Sequence, residues 1–226
     1  MKTLNFNLVT KSGNENLEFK FNKVLAIGFA GRDQKKVMEH IHELEEIGVA
    51  PPESIPTLYP CADELVTQEG YIQVLGGETS GEVEFVILIQ DNKIYIGLGS
   101  DHTDRGLEAV SIPKSKQICL KPIAKEIWLY DEIKDHWDDL ILRSWQKLDD
   151  NEEKLYQDGK ISEILKVEDI ITEVKKAYPN LNNIIMFSGT VPVLNGFVYG
   201  TNFRCELEDK HLGRKISHEY VVEVLK

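Results

Sequence analysis

The chain has 226 residues, 42% apolar and 28% charged, which is the composition of a soluble globular protein with enough length to bury a real core. Its formal net charge of −12 (26 basic against 38 acidic residues) argues against a nucleic-acid partner, which would need a basic patch set against the chain's own field. No Lys/Arg stripe interleaved with aromatics is present, and the pairs Lys35-Lys36 and Lys175-Lys176 fall on helical patterns as solvated faces.

In chain order, residues 3–9 and 17–22 alternate like two strands joined by the turn KSGNEN, and 23–31 is a short apolar strand ending in glycine. The period then changes. Val37, Ile41, Leu44 and Ile47 form a helical stripe over 33–47, with Asp33 as N-cap and Gly48 as C-cap. The prolines of APPESIPTLYP (50–60) forbid helix and make a stiff extended crossing. Strands are expected at 70–75, 82–90, 93–98, 126–130 and 138–145, with the turn QDN joining the second and third. Segment 147–160 is polar enough to read as an exposed excursion. A helix over 163–178 ends at Pro179, and strands return at 183–187, 197–207 and 216–225. The sum is an α+β, β-rich chain read as a single domain, 1–226.

No apolar run reaches the ~18 residues of a membrane span, and the N-terminus lacks the apolar core of a signal peptide. Cys61, Cys119 and Cys205 are widely spaced and without a CxxC pair, which suits small buried hydrophobes in a reducing cytoplasm better than a disulfide framework or thiolate zinc site.

The chemistry gathers at SGEVEFVILIQDNKIYIGLGSDHTDR (80–105). In a strand, residues two apart point to one side, so Glu82 and Glu84 project together, a costly pairing unless a cation lies between them. A hairpin returns the chain so that Asp101 falls beside the pair. Three converging carboxylates suit a hard divalent cation, Mg²⁺ or Mn²⁺ with Ca²⁺ also fitting, more than zinc. Taken alone, Glu-x-Glu is more often a solvated strand face. His102 is a nitrogen ligand or a hydrogen-bond partner, and Asp104 and Arg105 pair with each other on the plainest reading.

The order of motifs along the chain decides between these. GEVEFVIL, GSDHTDR with Arg105 four residues after Asp101, a lysine in SKQICLKP, and FSGTVP near the C-terminus resemble the fumarylacetoacetate hydrolase superfamily. So does GFAGRDQKKVMEHIHELEE, where His40 and Glu43 have the spacing of that superfamily's His-x-x-Glu. The sequence departs from the pattern in the stretched run between Gly31-Arg32 and His40, in Ser100 where the superfamily has Asn, and in SGTVP. It resembles a divergent, uncharacterised prokaryotic branch.

The resemblance implies a mixed β-roll or barrel-like sandwich with an N-terminal βα lobe. Residues 1–60 would carry a lid-like helix and the Pro-rich crossing, and 61–226 a metal-binding β-roll. It implies Glu82, Glu84 and Asp101 as metal ligands. His40 would be general base oriented by Glu43, with His42 as competing choice, and Lys116 the active lysine, with Lys121 as rival. Thr190 and Arg32 would bind substrate, and Arg105 would either bind substrate or hold Asp101 in place. The implied activity is metal-dependent hydrolysis or lysis of a small 2-oxo acid or β-dicarbonyl compound, with the cation stabilising the enolate charge that develops as a C–C bond breaks. The alternatives are a non-catalytic metal or oxo-acid binding protein and a sugar-acid dehydratase or isomerase. A small-molecule oxo acid is the expected partner, and a homodimer the expected assembly. Selectivity is expected from the lid helix and the Pro-rich crossing.

Overall fold

The computed structural model describes residues 1–46, 51–148 and 152–225, with the side chains of His40 and Leu44 excepted. In chain order the strands are β1 (Lys2–Thr10), β2 (Gly13–Phe21), β3 (Lys23–Gly28), β4 (Thr57–Cys61), β5 (Val66–Thr67), β6 (Tyr71–Leu75), β7 (Thr79–Ser80), β8 (Val83–Gln90) and β9 (Lys93–Ser100). They continue as β10 (Thr103–Asp104), β11 (Lys121–Pro122), β12 (Glu126–Leu129), β13 (Ile141–Lys147), β14 (Glu153–Lys160), β15 (Ile184–Phe187), β16 (Asn202–Asp209) and β17 (Arg214–Leu225). The helices are α1 (Gln34–Glu46), α2 (Arg105–Glu108), α3 (Ile112–Gln117), α4 (Tyr130–Ile133) and α5 (Val167–Ala177).

Eight strands form one mixed sheet in the order β2-β1-β12-β9-β8-β15-β3-β4, and five form a second in the order β14-β13-β16-β17-β6. The strands expected in an N-terminal lobe are thus edge and near-edge members of a sheet whose centre comes from later sequence. Phe19 and Phe21 of β2 and Tyr59 of β4, on the two outer strands, join a single apolar cluster, so the large sheet is curled. That cluster, with Phe6, Val86, Leu88, Ile127 and Phe187, fills its concave side. The convex side packs on the five-stranded sheet and α5 through Phe85, Ile87, Phe203, Ile170 and Val174. No helix among the described residues is long and apolar enough to cross a membrane.

Three expectations are corrected, one being the strand expected over 197–207, which starts only at Asn202. Segment 147–160 is not an excursion, because 153–160 is β14, paired along its length with β13. The strand expected from 138 begins at Ile141, after a 3₁₀ turn (Lys134–Asp139) that buries Trp137 against Phe85 with ring centroids 5.0 Å apart. The expected C-cap Gly48 lies outside the described residues.

Strand parity places the acids. Val83, Phe85 and Ile87 point to the inter-sheet core, so Glu84, Val86 and Leu88 point to the concave side. On β9 the same side carries Gly97 and Gly99, where a Cβ would press on Ile127, Leu88, Phe187 and the Pro122 carbonyl. Asp101 follows at the next same-side position. Asp101 N donates to Glu82 O (3.1 Å), which sets the aspartate opposite the glutamate pair.

Candidate metal centre

Glu82, Glu84 and Asp101 each offer a carboxylate oxygen, and these oxygens all lie within 4.8 Å of one another. Glu84 and Asp101 are buried and Glu82 is half-buried. The three sequence-predicted ligands are therefore brought together at one end of the curled sheet.

Cations ring them. Lys116, on α3, sits with Nζ 2.5 Å from Asp101 Oδ2 and 3.4 Å from Glu82 Oε2. Lys121 on β11 is fully buried, its Nζ 2.7 Å from Asp101 Oδ1 while donating to the His102 carbonyl at 2.7 Å. Both rival lysines thus reach Asp101. Arg105, 4% exposed in its side chain, extends Nη1 to Glu82 Oε1 (3.2 Å) and to Glu108 Oε2 (2.9 Å), and Nε to Ser80 Oγ (2.8 Å). Its pairing is with Glu82 and Glu108; Asp104 instead caps α2, its Oδ1 accepting from Leu107 N at 2.7 Å.

The carboxylates titrate apart because their neighbours differ. Burial raises all three, but for Asp101 the Lys116 and Lys121 ammoniums outweigh it and hold the group well below the usual carboxylate range. For Glu82, Arg105 and Lys116 outweigh burial in the same direction. Among the described residues Glu84 has no cation in ion-pair contact, and the Lys116 charge lowers it less than its surroundings raise it. Burial, then the Asp101 and Glu82 charges, push it well above the carboxylate range, and its one counterweight in hydrogen bonding is Gly189 N, donating to Oε2 at 3.1 Å. Lys116, against its own burial, is held well above the usual lysine range by Asp101 and Glu82. An all-oxygen donor set with one buried acid lacking a cation of its own is the chemistry that a divalent hard ion satisfies, so the residues present fit Mg²⁺, Mn²⁺ or Ca²⁺.

The turn Ser188–Thr190 closes one wall. Gly189 has φ +93° and lies so near Ala30 and the Ile27 carbonyl that a Cβ would approach them to 3.0 and 3.1 Å. Thr190 Oγ1 donates to the Val83 carbonyl (2.6 Å) and accepts from Gln157 Nε2 (2.8 Å). Gln157 also donates to Val191 O (2.6 Å) and accepts from Val83 N (3.0 Å) and Ser144 Oγ (2.8 Å), so one buried amide ties the turn to the start of β8. Next to it, the buried Tyr156 hydroxyl reaches Ser80 Oγ at 3.4 Å and the Val198 backbone.

His102 is no ligand here. Tyr220 donates its hydroxyl proton to Ser100 Oγ (2.9 Å), leaving its oxygen to accept from His102 Nδ1 (2.9 Å), while Nε2 accepts from Thr79 Oγ1 (2.9 Å). Burial, then Lys121 and Arg105, lower its pKa from 6.5 to about 3.

His42 and Arg32 make their contacts outside this cluster. The His40 side chain is outside the described residues, and Glu43 is exposed on α1. His42 Nδ1 meets Glu45 Oε2 at 3.1 Å on the solvent side. Arg32 pairs with Asp138 (2.9 Å) and donates from Nε to Ile164 O (3.0 Å). Sequence reasoning passed over Ser80, Tyr156 and Gln157. No motif marks them, and the two on β14 sit in the segment read as an excursion.

A family described as a protein of unknown function (DUF2848) matches residues 27–220. The chain belongs to this family. No curated protein matches it. Among solved structures, Cg1458 with inhibitor is similar at TM-score 0.65 and 20% identity, covering 95% of this chain and 81% of that one. A 2-keto-3-deoxy-D-arabinonate dehydratase complexed with magnesium and 2,5-dioxopentanoate is similar at TM-score 0.64 and 18% identity, covering 92% and 74%. The 4-oxalocrotonate decarboxylase from Pseudomonas putida G7, complexed with calcium and acetate, gives TM-score 0.57 at 11% identity, covering 91% and 78%. These likenesses establish the fold, which is of the fumarylacetoacetate hydrolase type that the motifs resemble.

Proposed function

We propose that this DUF2848 chain is a divalent-metal-dependent lyase or hydrolase acting on a small 2-oxo acid or β-dicarbonyl compound. The observation that carries the reading is the convergence of Glu82, Glu84 and Asp101 within 4.8 Å in a mostly buried pocket of charge. Support comes from similar structures holding magnesium with 2,5-dioxopentanoate and calcium with acetate.

Glu82, Glu84 and Asp101 would hold the ion, which supplies Lewis-acid stabilisation of negative charge on substrate oxygens. The chain's own residues do the rest. Lys116 and Lys121 hold Asp101 ionised, and Lys116 keeps a positive charge at the substrate end of the site. Arg105 anchors Glu82 and adds a second cation there. The Ser188–Thr190 turn forms the wall beside Glu84, with Gly189 N donating to Glu84 and the Thr190 hydroxyl donating to the Val83 carbonyl. His40, oriented by Glu43, is proposed as general base on its place in the motif order, and Arg32 as a substrate-binding residue on the same ground.

Dehydration of a sugar-derived oxo acid is the second reading, favoured by the likeness to a dehydratase. Product analysis separates the two, since cleavage gives two fragments and dehydration one. The test of the site itself is calorimetric. Mn²⁺-loaded protein is expected to bind oxalate, and Glu82→Gln with Glu84→Gln to abolish both Mn²⁺ and oxalate binding. Retained binding in the double variant sinks the assignment.

We also propose a homodimer in a reducing cytoplasm. β6 is an edge strand paired in register with β17, and Tyr71, Leu75, Val221 and Leu225 stand exposed along that pair. A monomeric mass by light scattering refutes the dimer.

A further inference from the structure

One wall of the site is built from a stretch without charge. From Phe187 to Phe203 there is no acidic or basic residue, in a chain where 28% are charged. Its first part makes the Ser188–Thr190 turn. Its second part, Val193–Tyr199, is pinned to β14. Val193 bridges to Gln157, Leu194 N donates to Tyr156 O (2.9 Å), and the Tyr156 hydroxyl meets the Val198 backbone.

That pinning delivers Phe197 onto Arg105. The ring centroid lies 4.4 Å from the guanidinium carbon. Arg105 is the residue that holds Glu82, so the aromatic ring is one side chain removed from the carboxylate cluster. The guanidinium covers one face of the ring, yet Phe197 is 51% exposed, with Leu194 at 48% and Tyr199 at 43%. Three large apolar groups left open to water within six residues carry a cost that an apolar ligand group would remove. The cation–π contact holds the ring, so its free face is presented in a defined orientation.

We infer that Phe197 is a specificity-determining residue. Its free face, in a segment that also leaves Leu194 and Tyr199 exposed, receives the part of the substrate beyond the oxo-acid head, and the substrate class is a 2-oxo acid with an apolar, short aliphatic or aromatic tail. This rests on the oxo-acid reading above, and it disfavours a polyhydroxylated sugar acid, whose hydroxyls would lose water against the Phe197 ring.

The experiment is titration calorimetry on the Mn²⁺-loaded protein with oxalate, 4-methyl-2-oxopentanoate and a polyhydroxylated 2-oxo hexonate. Wild type is expected to bind oxalate, and to prefer the methyl-branched over the hydroxylated acid by at least about tenfold, the scale on which an apolar pocket reads one or two methylenes. Phe197→Ala is expected to bring that preference below about threefold, and Phe197→Leu to restore part of it. Thermal unfolding of each variant checks the fold. If wild type binds oxalate but shows no apolar preference, or if the preference survives Phe197→Ala, the inference is overturned while the metal reading stands. If wild type binds no oxalate, the metal reading fails and takes the inference with it.

Discussion

Replacing Gln157 by Leu removes the amide that joins the Ser188–Thr190 turn to the first residue of β8. The side chain makes four hydrogen bonds, to Val83 N, Ser144 Oγ, Thr190 Oγ1 and Val191 O, and is fully buried. At roughly 1 kcal/mol net each they total about 4 kcal/mol, and the polar groups left buried add to the loss. The leucine returns about 1–2 kcal/mol through apolar burial. The net expectation is a loss of about 3 kcal/mol in equilibrium urea unfolding, or a melting point lower by roughly 6–12 °C for a chain of this size. The same change frees the turn whose Gly189 N donates to Glu84, so Mn²⁺ affinity is expected to fall with stability. A loss below about 1 kcal/mol would refute the amide as the joint. A destabilised variant with wild-type Mn²⁺ affinity would separate the turn from the carboxylates.

Two further outcomes follow from the electrostatics. Chelation should lower thermal stability, because ligand at about a hundredfold over its dissociation constant contributes about 2.7 kcal/mol; an identical melting curve with EDTA and with saturating Mn²⁺ refutes the site. His102, neutral and buried with a pKa lowered from 6.5 to about 3, binds its proton more weakly folded than unfolded. Its contribution is present above pH 6.5 and is lost as pH falls toward 3, amounting at most to about 5 kcal/mol at about 1.4 kcal/mol per pH unit. His102→Gln, measured by urea unfolding between pH 7 and pH 4, is expected to flatten this slope. An unchanged slope assigns acid sensitivity to the paired carboxylates instead.

The hairpin that carries the site was legible because local and long-range demands agree in it. VEFVILIQ is apolar on both faces and is buried on both, and Asp91 and Asn92 accept the positive φ (52° and 61°) of a two-residue turn. Parity then put Glu82, Glu84 and Asp101 together without knowledge of the rest. β14 was illegible for the opposite reason. In EKLYQDGK only Tyr156 and Gln157 are buried, so its strand character is imposed by pairing with β13 and leaves no periodic trace. The choice between Lys116 and Lys121 could not be made from order along the chain, since α3 and β11 approach Asp101 from different directions and both arrive. The arginine's partner was misread because sequence proximity favours Asp104, whereas α2, capped by that very aspartate, turns Arg105 toward Glu82 and Glu108.

The sheet order has a consequence for how the protein comes to exist. β3 is completed by β15, with Lys23 beside Ile184, and β6 by β17, with Tyr71 beside Val221. Pairings of such sequence separation close large loops before any contact rewards them, which slows folding. On a ribosome, β8 would emerge with its β9 partner but with neither its β15 neighbour nor the Gly189 donor yet made, leaving one edge of the apolar VEFVILIQ open until Ile184 follows. Nascent chains stalled before Ile184 are expected to stay protease-sensitive and to bind holdase chaperones, and a protected fragment at that length would show that assembly starts earlier. The acidic hairpin, the first part of the site to be recognisable in the sequence, is thus among the last to acquire its surroundings.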